Sequence, residues 1–342
     1  MAKHNAGKAI GSDTFKLSLA LAIPWVYAIV MQIIRDHTYI NPDDRGAVAA
    51  IGNFDGVHLG HQTVINIARK MSDSTGTPLG VLTFEPHPRE FFAPEAPPFR
   101  LMGSDARAHR LEKLGVEKLY ELNFNAELST LSPSEFSENI VWDALGLSHV
   151  VVGADFRFGK GRAGDSEDLT RFGEIFGFGV TVANLLQGDA GEVSSTAIRN
   201  ALSDGRPRDA ADMLGHWHRI EGVVVAGDQR GRKLGFPTAN ISINGLHPPK
   251  HGIYAVYADV LDGRWKGHYT GAANIGKRPM FNGEVANLEC HLFDFQGDLY
   301  GAHLSVALVE YIRPEETFES MDSFISRMNV DCAEARRILA EP

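Results

Sequence analysis

The sequence predicts two successive modules: a doubly wound parallel α/β domain, then an antiparallel β-barrel closed by a C-terminal helix. Three observations carry this expectation. The chain has 342 residues, about twice the length of an average domain. From Met31 to about Gly205, short apolar runs alternate with amphipathic segments, the pattern of strands joined by crossover helices. Beyond Leu214 the texture changes to strand-like runs broken by Gly, Pro and Asn, with no long helix until Phe318 onward.

The elements follow in order. Strands are expected over 47–51, 79–84, 118–122, 149–152 and 179–183. Ser132-Pro-Ser-Glu135 supplies an N-cap, a proline in the first helical turn and a capping glutamate, and Gly146 marks that helix's end. A short helical stretch ends at Leu214, and second-module strands are expected over 220–225, 253–260, 288–293 and 304–311. The expected domains are 31–205 and 218–342, joined by a linker over 206–217. Residues 1–30 form an extension outside both. Its apolar run over 17–30 resembles a secretory signal superficially, but Asp13, Pro24 and the lack of a small-x-small cleavage site count against that. It is also marginal in length for a membrane span.

Composition narrows the function classes. Lys and Arg number 33 and Asp and Glu 43, a formal charge of −10, which offers no general attraction to nucleic acid or to an anionic membrane. Any phosphate must be held by a local site. Cys290 and Cys332 are the only cysteines, too few for a disulfide framework or a thiolate metal site, and favour a reducing, cytoplasmic setting.

In a doubly wound sheet, ligands bind beyond the carboxyl ends of the strands. There the sequence places Gly52-Asn-Phe-Asp-Gly-Val-His-Leu-Gly-His61. Gly52, Gly56 and Gly60 allow tight turns and close ligand approach, and amides at the following helix start favour an anion. His58 and His61, three apart, can face one point and donate to a phosphorus centre. A surface turn with two solvated histidines, or half a metal site, would use the same letters. Ser194-Ser-Thr-Ala-Ile-Arg199 puts hydroxyls, free amides and a guanidinium at another helix start, either a triphosphate grip through Ser195, Thr196 and Arg199 or simply an N-cap beside a surface arginine. In the second module, Gly231-Arg-Lys-Leu-Gly-Phe-Pro-Thr-Ala-Asn240 reads as a basic loop able to cover phosphate through Gly231, Arg232 and Gly235. Thr238 and Asn240, two apart on an extended segment, can offer oxygen ligands to Mg²⁺; a plain turn into a strand is the alternative.

These motifs together resemble known families. Gly52 to His61 resembles the His-x-Gly-His nucleotidyltransferases with their Rossmann-like sheet, and specifically the adenylyltransferase module of prokaryotic FAD synthetases. Thr83-Phe-Glu-Pro-His-Pro88 and Val152-Gly-Ala-Asp-Phe-Arg-Phe-Gly159 are similar to loops of that module. Gly231 to Asn240 resembles the riboflavin kinase loop, and Asn274-Ile-Gly-Lys-Arg-Pro279, Glu289, Leu299-Tyr-Gly301 and Arg313-Pro-Glu-Glu-Thr-Phe318 continue that likeness. From Met31 to the end, the chain looks like a bifunctional riboflavin kinase and FMN adenylyltransferase.

The resemblance implies that ATP with Mg²⁺ phosphorylates riboflavin to FMN, with ADP released, and that a second ATP then adenylylates FMN to FAD and pyrophosphate. It implies Phe54 and Asp55 in the first ATP site, Asp155, Phe156 and Phe158 beside its flavin, Asn274, Arg278 and Arg313 beside the second flavin, and Glu289 as the kinase base. Glu192, His216, Met280 and Thr317 depart from the residues usual in these families. No nucleic-acid or membrane partner is expected, and the state expected is a monomer or weak homo-oligomer. The rival readings are another His-x-Gly-His transferase and a flavin-binding protein that has lost one site.

Overall fold

A computed structural model describes residues 30–183, 193–227, 235–280 and 283–341. Its first sheet has six parallel strands, β1 (Gln32–Ile34), β2 (Val48–Ile51), β3 (Leu79–Glu85), β4 (Lys118–Asn123), β5 (His149–Gly153) and β8 (Gly179–Ala183), in the order β1-β4-β3-β2-β5-β8. The chain winds from β2 through β3 to β4 and then restarts at β5 on the other side of β2. The switch point therefore lies between β2 and β5, the place where such sheets bind ligands. A two-stranded ribbon, β6 (Arg157–Phe158) and β7 (Gly164–Asp165), follows β5.

Strand alternation sends side chains to two cores. Val48 and Ala50 join Val64, Ile65 and Ala68 of α1 (Leu59–Thr75) and Ala106 and Leu111 of α3 (Ser104–Lys113). Ala49 and Ile51 face the opposite layer with Phe136, Ile140, Val141 and Leu169. α1 starts on His58 as N-cap and stops at Gly76, which takes the left-handed φ of 68°. The capping box at Ser132 forms as its sequence implies and opens a helix that continues as a π-helix over Phe136–Ala144. After α2 (Pro88–Phe92), α4 (Ala126–Thr130), α5 (Pro133–Glu135) and α6 (Ser166–Phe176), the module ends in α7 (Ser195–Ser203).

The stretch expected as a linker is mostly helix. α8 (Pro207–Leu214) buries Ala210 and Leu214 against Ile198, Ala201 and Leu202 of α7 and against Leu101. Residues after α7 thus remain packed on the first module instead of spanning a gap.

The second sheet is antiparallel, in the order β10-β13-β12-β11-β14-β9. It contains β9 (Arg219–Val223), β10 (Ala239–Ser242), β11 (Gly252–Val260), β12 (Gly267–Met280), β13 (Gly283–Leu292) and β14 (His303–Arg313). A bridge between Val225 and Asn240 brings the two edges together, so the barrel is nearly closed. β1, β6, β7 and β12 lie outside the strands that the sequence predicts, and β10 forms on the extended segment expected to carry Thr238 and Asn240. β1, β6 and β7 are short, and β12 carries Gly271, Gly276 and Pro279, which break the alternation that marks a strand.

The C-terminal helix α9 (Met321–Ala340) covers the outside of the barrel, with Ala335 and Ile338 against Ala255, Ala272 and Val309. Its strongest tie is ionic. Arg313 Nε and Nη2 donate to the Asp331 carboxylate at 2.6 to 3.1 Å, and Nη1 donates to the Pro314 carbonyl at 2.7 Å. In this structure the guanidinium of Arg313, which the resemblance places beside the flavin, docks α9. Both side chains are buried, and removing one partner of such a pair leaves an unpaired buried charge. Asp331→Ala should therefore cost roughly 3 to 5 kcal/mol in urea denaturation followed by circular dichroism, whereas a surface change such as Asp322→Ala should cost under about 0.5 kcal/mol.

Candidate active sites

The first site is built at the end of β2. Gly52 closes the strand, its amide donating to the Leu82 carbonyl at 3.1 Å. Phe54 and Val57 then hold φ of 51° and 44°, a left-handed backbone that costs free energy for non-glycine residues, most of all for a β-branched one. Both side chains are buried in the core beneath the loop, so packing imposes the turn. At Gly56 φ is 85°, and a Cβ would stand 2.7 Å from Leu101 Cδ1. At Gly60 a Cβ would press on the His58 ring at 3.2 Å.

That loop delivers the two histidines to the start of α1. Their rings stack at 3.7 Å with 15° between planes. His58 Nδ1 accepts the His61 amide at 3.3 Å, which leaves the proton of a neutral ring on Nε2. Burial pushes the His58 pKa down to about 4, partly offset by Asp155. Burial, then the proximity of His58, pushes His61 well below its ordinary value. Nδ1 of His61 is buried with no hydrogen-bond partner in this structure. The pair is thus a neutral, hydrogen-bonding surface at a helix N-terminus, suited to phosphate oxygens and not to strong cation pairing.

Asp55 organises the surroundings. Its Oδ1 accepts the Leu101 amide at 2.7 Å and its Oδ2 accepts from Arg199 Nη2 at 2.7 Å. Arg199 Nε also donates to the Phe99 carbonyl at 2.6 Å, and the Ser195 hydroxyl donates to the Asp55 carbonyl at 3.1 Å. Asp55 was expected in the ATP site; the structure gives its carboxylate to Leu101 and Arg199, so it acts by holding them. Ser194 caps α7, and Thr196 is exposed on its first turn. Glu192 lies outside the described residues.

A second histidine-bearing loop follows β3. His87 caps α2 and packs edge-on against Phe99 at 4.9 Å. Its pKa is pushed down to about 3, first by burial and then by Arg100, Arg107, Arg199 and Arg89. Arg100 is paired with Glu85 and Glu90, and Arg107 with Glu85 and Glu121. Arg107 carries no signal in the sequence, because a helix arginine reads as a solvated face while this one is buried. Beside the loop after β5, Asp155 is exposed and Phe156 stacks on Phe158 at 5.4 Å. Phe158, expected at the flavin, lies in the hydrophobic core beside Phe136. Phe156 is the aromatic ring of that pair nearer solvent.

The second site lies on the barrel wall. Asn240 on β10 pairs in register with Glu289 on β13, which pairs with Asn274 on β12. Directly paired residues share a face, and the flanking Leu288, Cys290, Ala273 and Ile275 all point into the core. The row Asn240-Glu289-Asn274 therefore stands on the opposite face. Asn240 Oδ1 accepts from Asn287 at 3.0 Å, and Asn274 Nδ2 donates to Glu315 at 3.1 Å. Asn274 Oδ1 is buried with no partner in this structure. Nearby, a cavity of about 200 Å³ is lined by Thr238, Asn240, Phe295, Asp298, Leu299 and Tyr300, among others. Cys290 also reaches it, but burial raises its thiol pKa to about 12, which removes it from nucleophilic chemistry. Gly235 turns with φ of 88° just before this strand. Gly231 and Arg232 lie outside the described residues, as does the Arg278 side chain.

A parallel sheet with a paired-histidine loop at its switch point defines a nucleotidyltransferase-type module, and a near-closed barrel with a carboxylate between two amides follows it in the same chain. The comparisons agree on both halves. A family described as FAD synthetase matches residues 40–197, and one described as riboflavin kinase matches residues 214–339. The chain is 41% identical over 311 residues to a bifunctional riboflavin kinase/FMN adenylyltransferase of Pseudomonas fluorescens, covering 91% of this chain and 98% of that protein. To the Escherichia coli K12 protein of that description it is 37% identical, covering 90% and 97%. A solved structure described as a macrolide-efflux protein from Streptococcus pneumoniae superposes with a TM-score of 0.77 at 31% identity, covering 90% of this chain and 99% of that one. Among the described residues no helix is long and apolar enough to cross a membrane. The chain belongs to the bifunctional riboflavin kinase/FMN adenylyltransferase family.

The buried histidines predict a pH response of stability. His58, His216 and His218 are held at about 4 and His87 at about 3, against an ordinary 6.5. Below pH 6.5 the unfolded chain binds protons that the folded chain refuses, so stability present above that pH is lost as pH falls through the folded values. The urea midpoint should drop continuously from about pH 6.5 towards pH 4, and His87→Gln should make that drop shallower.

Proposed function

We infer that the chain makes FAD in two ATP-dependent steps, phosphorylating riboflavin in the barrel and adenylylating the resulting FMN in the N-terminal module. The observation that carries this reading is the presence of two separate sites in one chain of a bifunctional family. Each site is a surface for positioning and charge stabilisation, with no covalent nucleophile required.

In the N-terminal module, an FMN phosphate oxygen attacks the α-phosphorus of ATP. A new P–O bond forms while the bond to the β-phosphate oxygen breaks, releasing pyrophosphate. His58 Nε2–H and the His61 ring donate to oxygens whose charge rises in the transition state. Being neutral, they do so across the ordinary pH range. Ser195, Thr196 and the α7 amides receive the leaving phosphates, with Arg199 held alongside by Asp55. Asp155 and Phe156 flank the flavin side.

In the barrel, the ribityl 5′-hydroxyl attacks the γ-phosphorus of ATP. Glu289 orients that hydroxyl and accepts its proton as the bond to ADP breaks. Asn274, with its unsatisfied Oδ1, faces the flavin, joined by Arg278. Gly231, Arg232 and Gly235 are assigned to the ATP phosphates, the first two lying outside the described residues. Thr238 and Asn240 offer neutral oxygen donors at one cavity, and among the described residues no cluster of three or more His, Cys, Asp or Glu exists to hold a metal. That donor set fits Mg²⁺ brought in with ATP, which Thr238 and Asn240 would hold. When bound, the ion neutralises phosphate charge.

The net acidity supports small-molecule partners and no nucleic acid. The two cysteines without a disulfide and the need for ATP suit the cytoplasm. The chain acts as a monomer or a weak homo-oligomer.

Two substitutions separate the steps in chromatographic time courses started from riboflavin or from FMN. His61→Ala should stop the reaction at FMN, with adenylylation down by at least about 100-fold. Glu289→Ala should leave FMN adenylylation intact while lowering FMN formation by at least about 100-fold. If either variant, still folded, lost both activities, the assignment of steps to modules would be wrong.

A further inference from the structure

Three histidine rings at the junction of the modules touch backbone carbonyls of the N-terminal site. His216 Nε2 lies 3.1 Å from the Gly56 carbonyl, in the loop that carries His58 and His61, and its Nδ1 lies 2.9 Å from the Trp217 carbonyl. His218 Nε2 lies 2.9 Å from the Leu101 carbonyl. His247 Nε2 lies 3.1 Å from the Arg199 carbonyl and 2.9 Å from the Ser203 hydroxyl. Backbone contacts reinforce them: the His247 amide donates to the Arg100 carbonyl and the Lys250 amide to the Leu202 carbonyl.

The three segments touched are those that Asp55 ties together from the other side. Asp55 sits next to Gly56, accepts the Leu101 amide and pairs with Arg199. The Leu101 residue is therefore held at both ends, its N–H by Asp55 and its C=O by His218. Gly56 and Arg199 are likewise held on their carbonyls by rings that arrive from beyond α8.

We propose that His216, His218 and His247 are positioning residues for adenylyl transfer, fixing the loop after β2, the 99–102 segment and α7 in their working arrangement. The N-terminal site is then complete only with the barrel module seated against it. A carbonyl contact needs a ring that keeps one N–H. Burial favours the neutral form, lowering His216 and His218 to about 4 and His247 below its ordinary value; the one proton of a neutral His216 serves either the Gly56 or the Trp217 carbonyl. His218 Nδ1 has no partner in this structure, consistent with its one proton lying on Nε2.

The inference rests on the N-terminal site being the adenylylating one, and the test separates the two. In the full-length chain, His216→Ala and His247→Ala should each lower kcat/KM for FMN adenylylation about tenfold, chiefly through kcat, because a misplaced donor weakens the transition state more than substrate binding. Riboflavin phosphorylation in the same preparations should stay within about twofold. His216→Gln, whose amide N–H can reach the same carbonyl, should restore most of the adenylylation. Unchanged adenylylation in both alanine variants would overturn the proposal. So would a parallel fall of both activities, or a glutamine variant no better than alanine. His61→Ala serves as the control: if it still adenylylates FMN, the assignment of the site fails instead.

Discussion

The Asp55 carboxylate is the constraint on which the N-terminal site depends. One buried side chain accepts an amide from the 99–102 segment and a guanidinium from α7, while its own backbone carbonyl receives Ser195. Three pieces of chain, distant in sequence, thereby acquire one geometry. A buried carboxylate is tolerated because its oxygens are filled by an N–H and a cation. The same arrangement explains why Arg199 is not a loose surface cation: its bonds to Asp55 and the Phe99 carbonyl leave it already oriented, with little side-chain freedom.

The barrel solves a comparable problem with the sheet itself. Register alone sets Asn240, Glu289 and Asn274 side by side, since paired residues on neighbouring strands share a face. Nothing beyond strand pairing is needed to bring two amides and a carboxylate together. A slip of one residue along β13 would replace Glu289 with Leu288 or Cys290 and send the carboxylate into the core. The core residues on either side therefore fix the position of the carboxylate as much as the fold.

The sequence made the architecture and the motif residues legible because both depend on local pattern. The strand after each crossover is an apolar run of the right length, and Gly52 to His61 follows the first of the central strands directly. It was silent where meaning depends on distant partners. Arg313 and Phe158 sit in motif positions that invite a ligand role, and only the folded chain shows that Asp331 pairs with one and Phe136 packs against the other. Arg107 looks like a solvated helix residue, and only the folded chain brings Glu85 and Glu121 to it. The helix over Pro207–Leu214 was legible as helix but not as part of the first module's packing.

The hydrogen bond from the His61 amide to His58 Nδ1 joins two properties usually treated apart. That nitrogen is both the cap of α1 and the part of the ring that must stay unprotonated. Moving the proton from Nε2 to Nδ1 would set two donors face to face and release the first turn of the helix. Tautomer, ring direction and helix start are thus a single variable, so the secondary structure itself stores the information about which nitrogen carries hydrogen.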